Sequence, residues 1–351
     1  MPRFPAIRVC LIAAIALLPP LAVAADQQPQ QPMETWELRD GRWQAVAAAP
    51  TTQISAEPVL DHVDDLLANG RYGEAHTVVR RWLKSHAKDA PSRDRAVLAL
   101  AECHYHDGDR EEAFYYCDEL MDTYPDSALF YRALELQYRI ADGFLNGYKK
   151  RFLGIPMFGA EEEAVEMLFR IQQRSPGSPL AERALLRTAD YYYADSQFDL
   201  AADAYGAYAR AYPRSPAMPR VRLRQAFSSL AQFRGLRFDA TPLLDARAQL
   251  LEIAAAYPQL AAEENVQSVV ERIDSTFARK LYNTADYYRR THDPRAAVYN
   301  YRYLIGTYPA SPEADRARRD LQRMPAWALD SPPPATGNGF APTTMPSARA
   351  D

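Results

Sequence analysis

The sequence predicts an all-α fold, an α-solenoid superhelix of about five to six stacked helix pairs, and three recurring features point to it. An alanine is followed eleven residues later by Tyr, Ser or His six times: Ala75/His86, Ala113/Tyr124, Ala164/Ser175, Ala201/Tyr212, Ala246/Tyr257 and Ala297/Tyr308. In the last five, proline comes next, at Pro125, Pro176, Pro213, Pro258 and Pro309. Apolar residues stand four places after each alanine (Val79, Cys117, Leu168, Tyr205, Leu250, Tyr301) and seven places after (Trp82, Leu120, Ile171, Tyr208, Ile253, Leu304).

Offsets of 0, 4, 7 and 11 fall on one stripe of a helix with 3.6 residues per turn. The alanine marks the close approach of a partner helix, and the proline ends the helix because it has no N–H to donate and crowds the residue before it. A second helix precedes each alanine. Leu185, Ala189 and Tyr192 stand before Ala201 at the same offsets as Leu281, Ala285 and Tyr288 before Ala297. Short polar turns join the paired helices at Asn69-Gly70-Arg71, Asp107-Gly108-Asp109, Ala194-Asp195-Ser196 and Thr291-His292-Asp293. Glycine and aspartate there suit left-handed or capping geometry. A helix–turn–helix unit with two small crossing residues and a closing proline is the tetratricopeptide pattern, whose period is about 34 residues.

Successive alanines lie 38, 51, 37, 45 and 51 residues apart, so three repeats carry extra chain. One insertion spans residues 148–159 and another residues 233–239. The first helix of repeat six is expected to extend backwards over residues 261–290, about 45 Å at 1.5 Å per residue. Residues 1–24 read as a secretory leader, with Arg3 and Arg8, an apolar run and Ala22-Val23-Ala24 as the cleavage site. That run is short for a membrane core, which takes about 20 residues, so it is read as cleaved rather than as a permanent anchor. A linker over residues 25–55 contains alternating apolar and polar residues around Asp40-Gly41, a hairpin signal at 35–46. Its Trp36 and Trp43 are expected to dock on the first repeat or on a partner. The repeat domain is placed at 56–325 and a Pro-, Ser- and Thr-rich disordered tail at 326–351.

Composition narrows the function. Among 351 residues, 41 Lys and Arg against 45 Asp and Glu leave a net charge of −4, which argues against nucleic acid as a partner. Only 14 glycines are present, and none forms a phosphate-cradling loop. With the leader removed, Cys103 and Cys117 remain; they form one disulfide or two buried thiols. His104 and His106 are two residues apart and diverge on a helix, so no metal site is expected there. Asp107-Gly108-Asp109 lacks the further acids of a calcium loop. No nucleophile stands in a recognisable catalytic context, so an enzyme and a cofactor are not expected.

Binding polypeptides is what stacked helix pairs do, on a concave face lined by the first helices. The groove-facing offsets carry Leu98, Glu102 and Tyr105 in repeat two, Leu186, Asp190 and Tyr193 in repeat four, and Tyr282, Asp286 and Arg289 in repeat six. In the first insertion Lys149, Lys150 and Arg151 abut Phe152 and Phe158, a candidate contact loop for lipid headgroups or a partner. These eleven candidates are Leu98, Glu102, Tyr105, Phe152, Phe158, Leu186, Asp190, Tyr193, Tyr282, Asp286 and Arg289.

Three stretches resemble the BamD family, helical-repeat subunits of the machine that inserts β-barrels into bacterial outer membranes. They are Ala285-Asp286-Tyr287-Tyr288-Arg289-Arg290-Thr291 leading to Thr307-Tyr308-Pro309, Ser178-Pro179-Leu180-Ala181 leading to Tyr191-Tyr192, and Phe238-Asp239-Ala240-Thr241-Pro242 leading to Tyr257-Pro258. The resemblance covers about residues 56–325. It implies a non-catalytic periplasmic adaptor. Its partners would be the periplasmic domains of a barrel-assembling outer-membrane protein and unfolded barrel segments, received on the N-terminal repeats. The chain departs from the family in its lipid anchor, because Cys10 precedes most of the apolar run. The alternative is a general periplasmic repeat scaffold of the cell envelope or division apparatus, similar to CpoB.

Overall fold

The structure is a computed structural model that describes residues 35–39, 42–46, 57–152, 155–235 and 240–330. The expected leader, the linker on either side of the hairpin, and residues 331–351 lie outside the described residues. Six helix pairs follow in order. Repeat one is α1 (Pro58–Ala68) and α2 (Tyr72–Ser85), and repeat two is α3 (Arg93–Asp107) and α4 (Arg110–Thr123). Repeat three is α5 (Phe130–Leu145) and α6 (Glu161–Arg174), and repeat four is α7 (Pro179–Ala194) and α8 (Phe198–Ala211). Repeat five is α9 (Met218–Ala231) and α10 (Thr241–Ala256), followed by the short α11 (Pro258–Glu263). Repeat six is α12 (Val266–Arg290) and α13 (Pro294–Thr307), with α14 (Pro312–Leu321) and α15 (Ala326–Leu329) after it. Two antiparallel hairpins complete the elements: β1 (Thr35–Arg39) with β2 (Arg42–Val46), and β3 (Lys150–Phe152) with β4 (Ile155–Phe158).

The chain divides into two compact units, with the boundary within repeat three. In the first, α1 packs on α2 and α3, α2 on α3, and α3 on α4. In the second, each helix from α6 to α10 packs on the next, α10 packs on α12, and α14 closes against both α12 and α13. The stripe read from the sequence is the core. All six repeat alanines are completely buried, and the residues four and seven places on are at most 4% exposed. Leucine at any of those alanines would push two helix axes apart.

The turns inside the repeats share one geometry. Gly70, Gly108, Ser196 and His292, each five residues before a repeat alanine, have φ of 71°, 85°, 62° and 62°. The next residue then donates its N–H back to the carbonyl five residues earlier: Arg71 to Leu66 at 2.8 Å, Asp109 to His104 at 2.9 Å, Gln197 to Tyr192 at 2.9 Å, and Asp293 to Tyr288 at 3.0 Å. That is the Schellman closure, which satisfies carbonyls left open at a helix end. Repeat three makes it too, with Gly147 at φ 90° and Tyr148 donating to Gly143 at 3.0 Å. Only after that closure does the chain leave the pattern, and the β3–β4 hairpin fills the interval before α6. The insertion therefore sits where its sequence spacing put it.

The exits from the repeats are equally regular. Tyr124, Ser175, Tyr212, Tyr257 and Tyr308, each before a proline, have φ between −128° and −135° and ψ between 55° and 66°. His86, which no proline follows, has ψ 144°. A further serine, three residues after the terminator, was not read from the sequence. Ser127, Ser178, Ser215 and Ser311 each donate their N–H to the terminator's carbonyl at 3.0–3.1 Å. The hydroxyls of Ser178 and Ser311 then cap α7 and α14 by accepting from Ala181 and Ala314.

Repeat five lacks that serine, and here one expectation is corrected. The helix expected over residues 261–290 is two helices, α11 and α12, because Asn265 between them has φ 52°. Asparagine tolerates this left-handed conformation, which cannot continue a helix. The first residues of the tail placed at 326–351 form α15. The chain stays ordered through α15, where Ala328 is buried and Arg302 donates to the Leu329 carbonyl at 2.9 Å. Cys103 and Cys117 are both buried free thiols. Burial and nearby Glu102 and Asp107 push the Cys103 thiol up to about 12, and burial raises Cys117 as well.

Candidate protein-binding surface

The candidate residues on the first helices lie where the repeats join, and most of them are engaged within the protein. An acid stands eleven residues before the repeat alanine in four repeats: Asp64, Glu102, Asp190 and Asp286. Three of these reach an arginine on the first helix of the next repeat. Arg95 Nη2 meets Asp64 at 2.5 Å and Asp61 at 2.8 Å, and Arg132 Nη2 meets Glu102 at 2.8 Å. Arg224 and Arg220 meet Asp190 at 2.6 and 3.2 Å. Asp286, in the last full repeat among the described residues, pairs instead with Arg289 and Arg290 on its own helix, at 2.6 and 3.1 Å.

The aromatic and apolar candidates are similarly placed. Leu98 is a core residue, 3% exposed, which corrects its assignment to an open groove position. Leu186 packs against the repeat-four core. Tyr105 lies under the guanidiniums of Arg110 and Arg139, at 5.2 and 5.5 Å from its ring centroid. Tyr193 meets Phe198 and Tyr205 edge-on with Arg224 over its ring. Tyr282 donates to Asp320 at 2.7 Å and lies against Tyr301. Of these helix candidates Arg289 alone is exposed. The side chains of Phe152 and Phe158 lie outside the described residues. Their backbone is in the hairpin, with Phe152 paired to Ile155 and Phe158 to Lys150. Lys150 Nζ ties this hairpin to Glu111 at 2.8 Å.

Beneath the Asp190 junction lies a buried network. Tyr205, fully buried, donates to Asp190 Oδ1 at 2.6 Å. Tyr208 donates to Glu182 at 2.6 Å and shares a 2.7 Å hydrogen bond with Ser215. Burial, with the adjacent carboxylates, raises both phenols well above their usual range. A phenol between buried helices needs such an acceptor, because an unpaired hydroxyl there costs about 1–3 kcal/mol.

The surface that sequence reasoning missed is on the second helices. Tyr115 and Tyr299 stand two places after a repeat alanine, and Phe169 and Leu251 five places after; all four are exposed. Those offsets point away from the buried stripe, so an apolar residue there was the available signal. Trp327 on α15 is also exposed, with Arg295 over its ring at 5.5 Å. Among the described residues, no group of three or more His, Cys, Asp or Glu is placed to hold a metal ion. His104 lies beside His76 and Tyr116, while His106 stacks on Tyr72 at 3.9 Å.

Residues 159–325 match the family model of YfiO, described as an outer membrane lipoprotein, and residues 60–128 match a tetratricopeptide-repeat model. The chain is a BamD-like tetratricopeptide-repeat protein. No curated protein sequence matches it. Solved structures similar to it include the C-terminal part of a tetratricopeptide-repeat protein from Cytophaga hutchinsonii, at 11% identity over 76% of this chain and 88% of that one, with a TM-score of 0.38. PilW, a type IV pilus biogenesis factor, is 18% identical over 76% of this chain and 100% of its own, at a TM-score of 0.29. At these scores neither likeness bears on the function of the BamD-like chain, whose repeats belong to a class that acts through protein–protein contacts.

Proposed function

We propose that this chain is a non-catalytic adaptor in the assembly of outer-membrane β-barrel proteins. In this reading it is exported to the periplasm and held at the inner face of the outer membrane. It binds the barrel-inserting subunit through that subunit's periplasmic domains and receives unfolded barrel segments on its repeats. The observation that carries the reading is the YfiO match over residues 159–325, on a chain with repeat geometry throughout its helical part. The leader at residues 1–24 supports export.

Cys10 precedes most of the apolar run, and Cys103 and Cys117 are buried. Among the described residues no helix is long and apolar enough to cross a membrane. In this reading the chain docks at the outer membrane through its partner protein.

Affinity purification of the tagged full chain from the native envelope tests this reading. Recovery of a barrel protein with repeated periplasmic domains, in stoichiometric amount, is the expected result. Recovery of Tol–Pal division components in its place contradicts it and points to the division scaffold.

A further inference from the structure

The β1–β2 hairpin has two chemically distinct faces. Its register sets Trp36 opposite Ala45 and Leu38 opposite Trp43, while Glu37 faces Gln44 and Arg39 faces Arg42. Cross-strand partners share a face of the pleat, so one side carries Trp36, Trp43 and Ala45 and the other Glu37, Arg39 and Gln44. On the polar side Arg39 and Glu37 pair at 2.8 Å. Two strands alone are marginally stable in water, so the apolar face requires a surface. That surface is the first turn of α5. The Trp43 ring centroid is 5.7 Å from that of Tyr131, and Tyr131 is only 5% exposed. Trp36 and Trp43 remain half-buried.

The docking position is unusual for an N-terminal flank. The hairpin precedes repeat one in the chain, yet it sits on the first helix of repeat three, two repeats downstream of the expected site. It adds no helix pair and extends no stack. What it presents to α5 is a short antiparallel segment with apolar residues at alternating positions, one tryptophan in each strand, and polar residues between them. Transmembrane strands of a β-barrel have this pattern, apolar on one face and polar on the other, with aromatic residues near the ends.

We infer that the hairpin is a pseudosubstrate, occupying within this chain the α5 surface around Tyr131 that receives an aromatic, alternating segment of an unfolded outer-membrane barrel. The inference rests on the barrel-assembly reading above. Tethering makes a weak contact effective, because a short linker holds the hairpin near its site at about millimolar effective concentration. A free segment must displace it, so the site discriminates against polypeptides with weaker aromatic faces. Glu102 and Arg132, whose ion pair joins α3 to α5 beside Tyr131, form the polar border of this surface.

Fluorescence anisotropy on the full chain tests it with two labelled probes: a peptide of residues 33–48, and an outer-membrane barrel polypeptide diluted from urea. Trp43→Ser, and independently Trp36→Ser, is expected to bind both probes at least five-fold more tightly than the wild type. Adding Tyr131→Leu is expected to remove the gain, with the melting temperature recorded for each variant. A barrel polypeptide bound equally by the wild type and both tryptophan variants overturns the inference and leaves the adaptor reading intact. Tight binding of the hairpin peptide alone, with no barrel polypeptide bound by any variant, overturns both.

Discussion

The junction between repeats one and two and the junction at repeat four use the same backbone and opposite side-chain chemistry. Both have the left-handed turn residue, the Schellman closure and a completely buried alanine, at Ala75 and Ala201. At the first, α2 and α3 meet through histidines: His76 edge-on to His104 at 5.2 Å, and His106 stacked on Tyr72. Within repeat four, α7 and α8 meet through tyrosines held by carboxylates, Tyr205 on Asp190 and Tyr208 on Glu182. The repeat frame is thus set by small residues and turn geometry. The chemistry of each joint is free to vary, and with it the conditions that loosen the joint.

The largest effect is expected where the two junctions agree. Ala201→Leu and Ala75→Leu each force a helix pair apart and should each cost about 3 kcal/mol, at the upper end for overpacked cores. Denaturant unfolding of the full chain measures this, and a near-zero cost at either site breaks the common frame. Where the junctions differ, Asp190→Ala should cost about 2 kcal/mol, because it leaves the Tyr205 hydroxyl without its acceptor and Arg224 without its carboxylate. The figure is below that for a deeply buried pair because Arg224 is one-fifth exposed. Asp64→Ala, whose arginine keeps Asp61, should cost less than half as much in the same measurement.

The pH dependence separates the two joints next. Burial lowers His76, with the neighbouring His104 and Arg80 adding to it and Asp107 opposing, and burial lowers His106 against an upward pull from Glu102. Unfolded histidines take protons near pH 6.5 while these two resist, so protons favour the unfolded state and stability is lost as pH falls below about 6.5. Tyr205 and Tyr208 are raised, so the unfolded phenols ionise first and stability is lost as pH rises above about 10. Hydrogen exchange at each pH, corrected for the intrinsic rate, should show residues 72–107 opening in acid and residues 179–215 opening in alkali. His76→Gln should flatten the acid limb alone. The smallest effect concerns the turns. Gly70 has open space around its α-carbon, so Gly70→Ala tests backbone strain only and should cost about 1 kcal/mol, read as a lower melting temperature.

The two junctions also show what a single sequence reveals. Core periodicity and the terminators were legible because each repeats at a fixed offset along one helix, and the insertion at residues 148–159 because it lengthens the spacing between successive alanines. The Asp190–Arg224 and Glu102–Arg132 pairs were not, since they join helices about 30 residues apart and depend on rotamers as much as on spacing. That is why Glu102 and Asp190 read as open binding positions and are found in ion pairs. The break at Asn265 was hidden by the apolar residues on both sides of it, which continue a helical pattern across a residue in a left-handed conformation. The hairpin was visible from Asp40-Gly41, but its seat on Tyr131 was not, because nothing local to residues 35–46 names a surface two repeats away.

Direct titration of the purified full chain with the purified periplasmic domains of a barrel-inserting outer-membrane protein tests the adaptor assignment most plainly. Isothermal calorimetry should give one-to-one binding with Kd at or below about 10 µM, about −7 kcal/mol. No heat of binding with the partner at about 100 µM, while both proteins give cooperative melts, contradicts it.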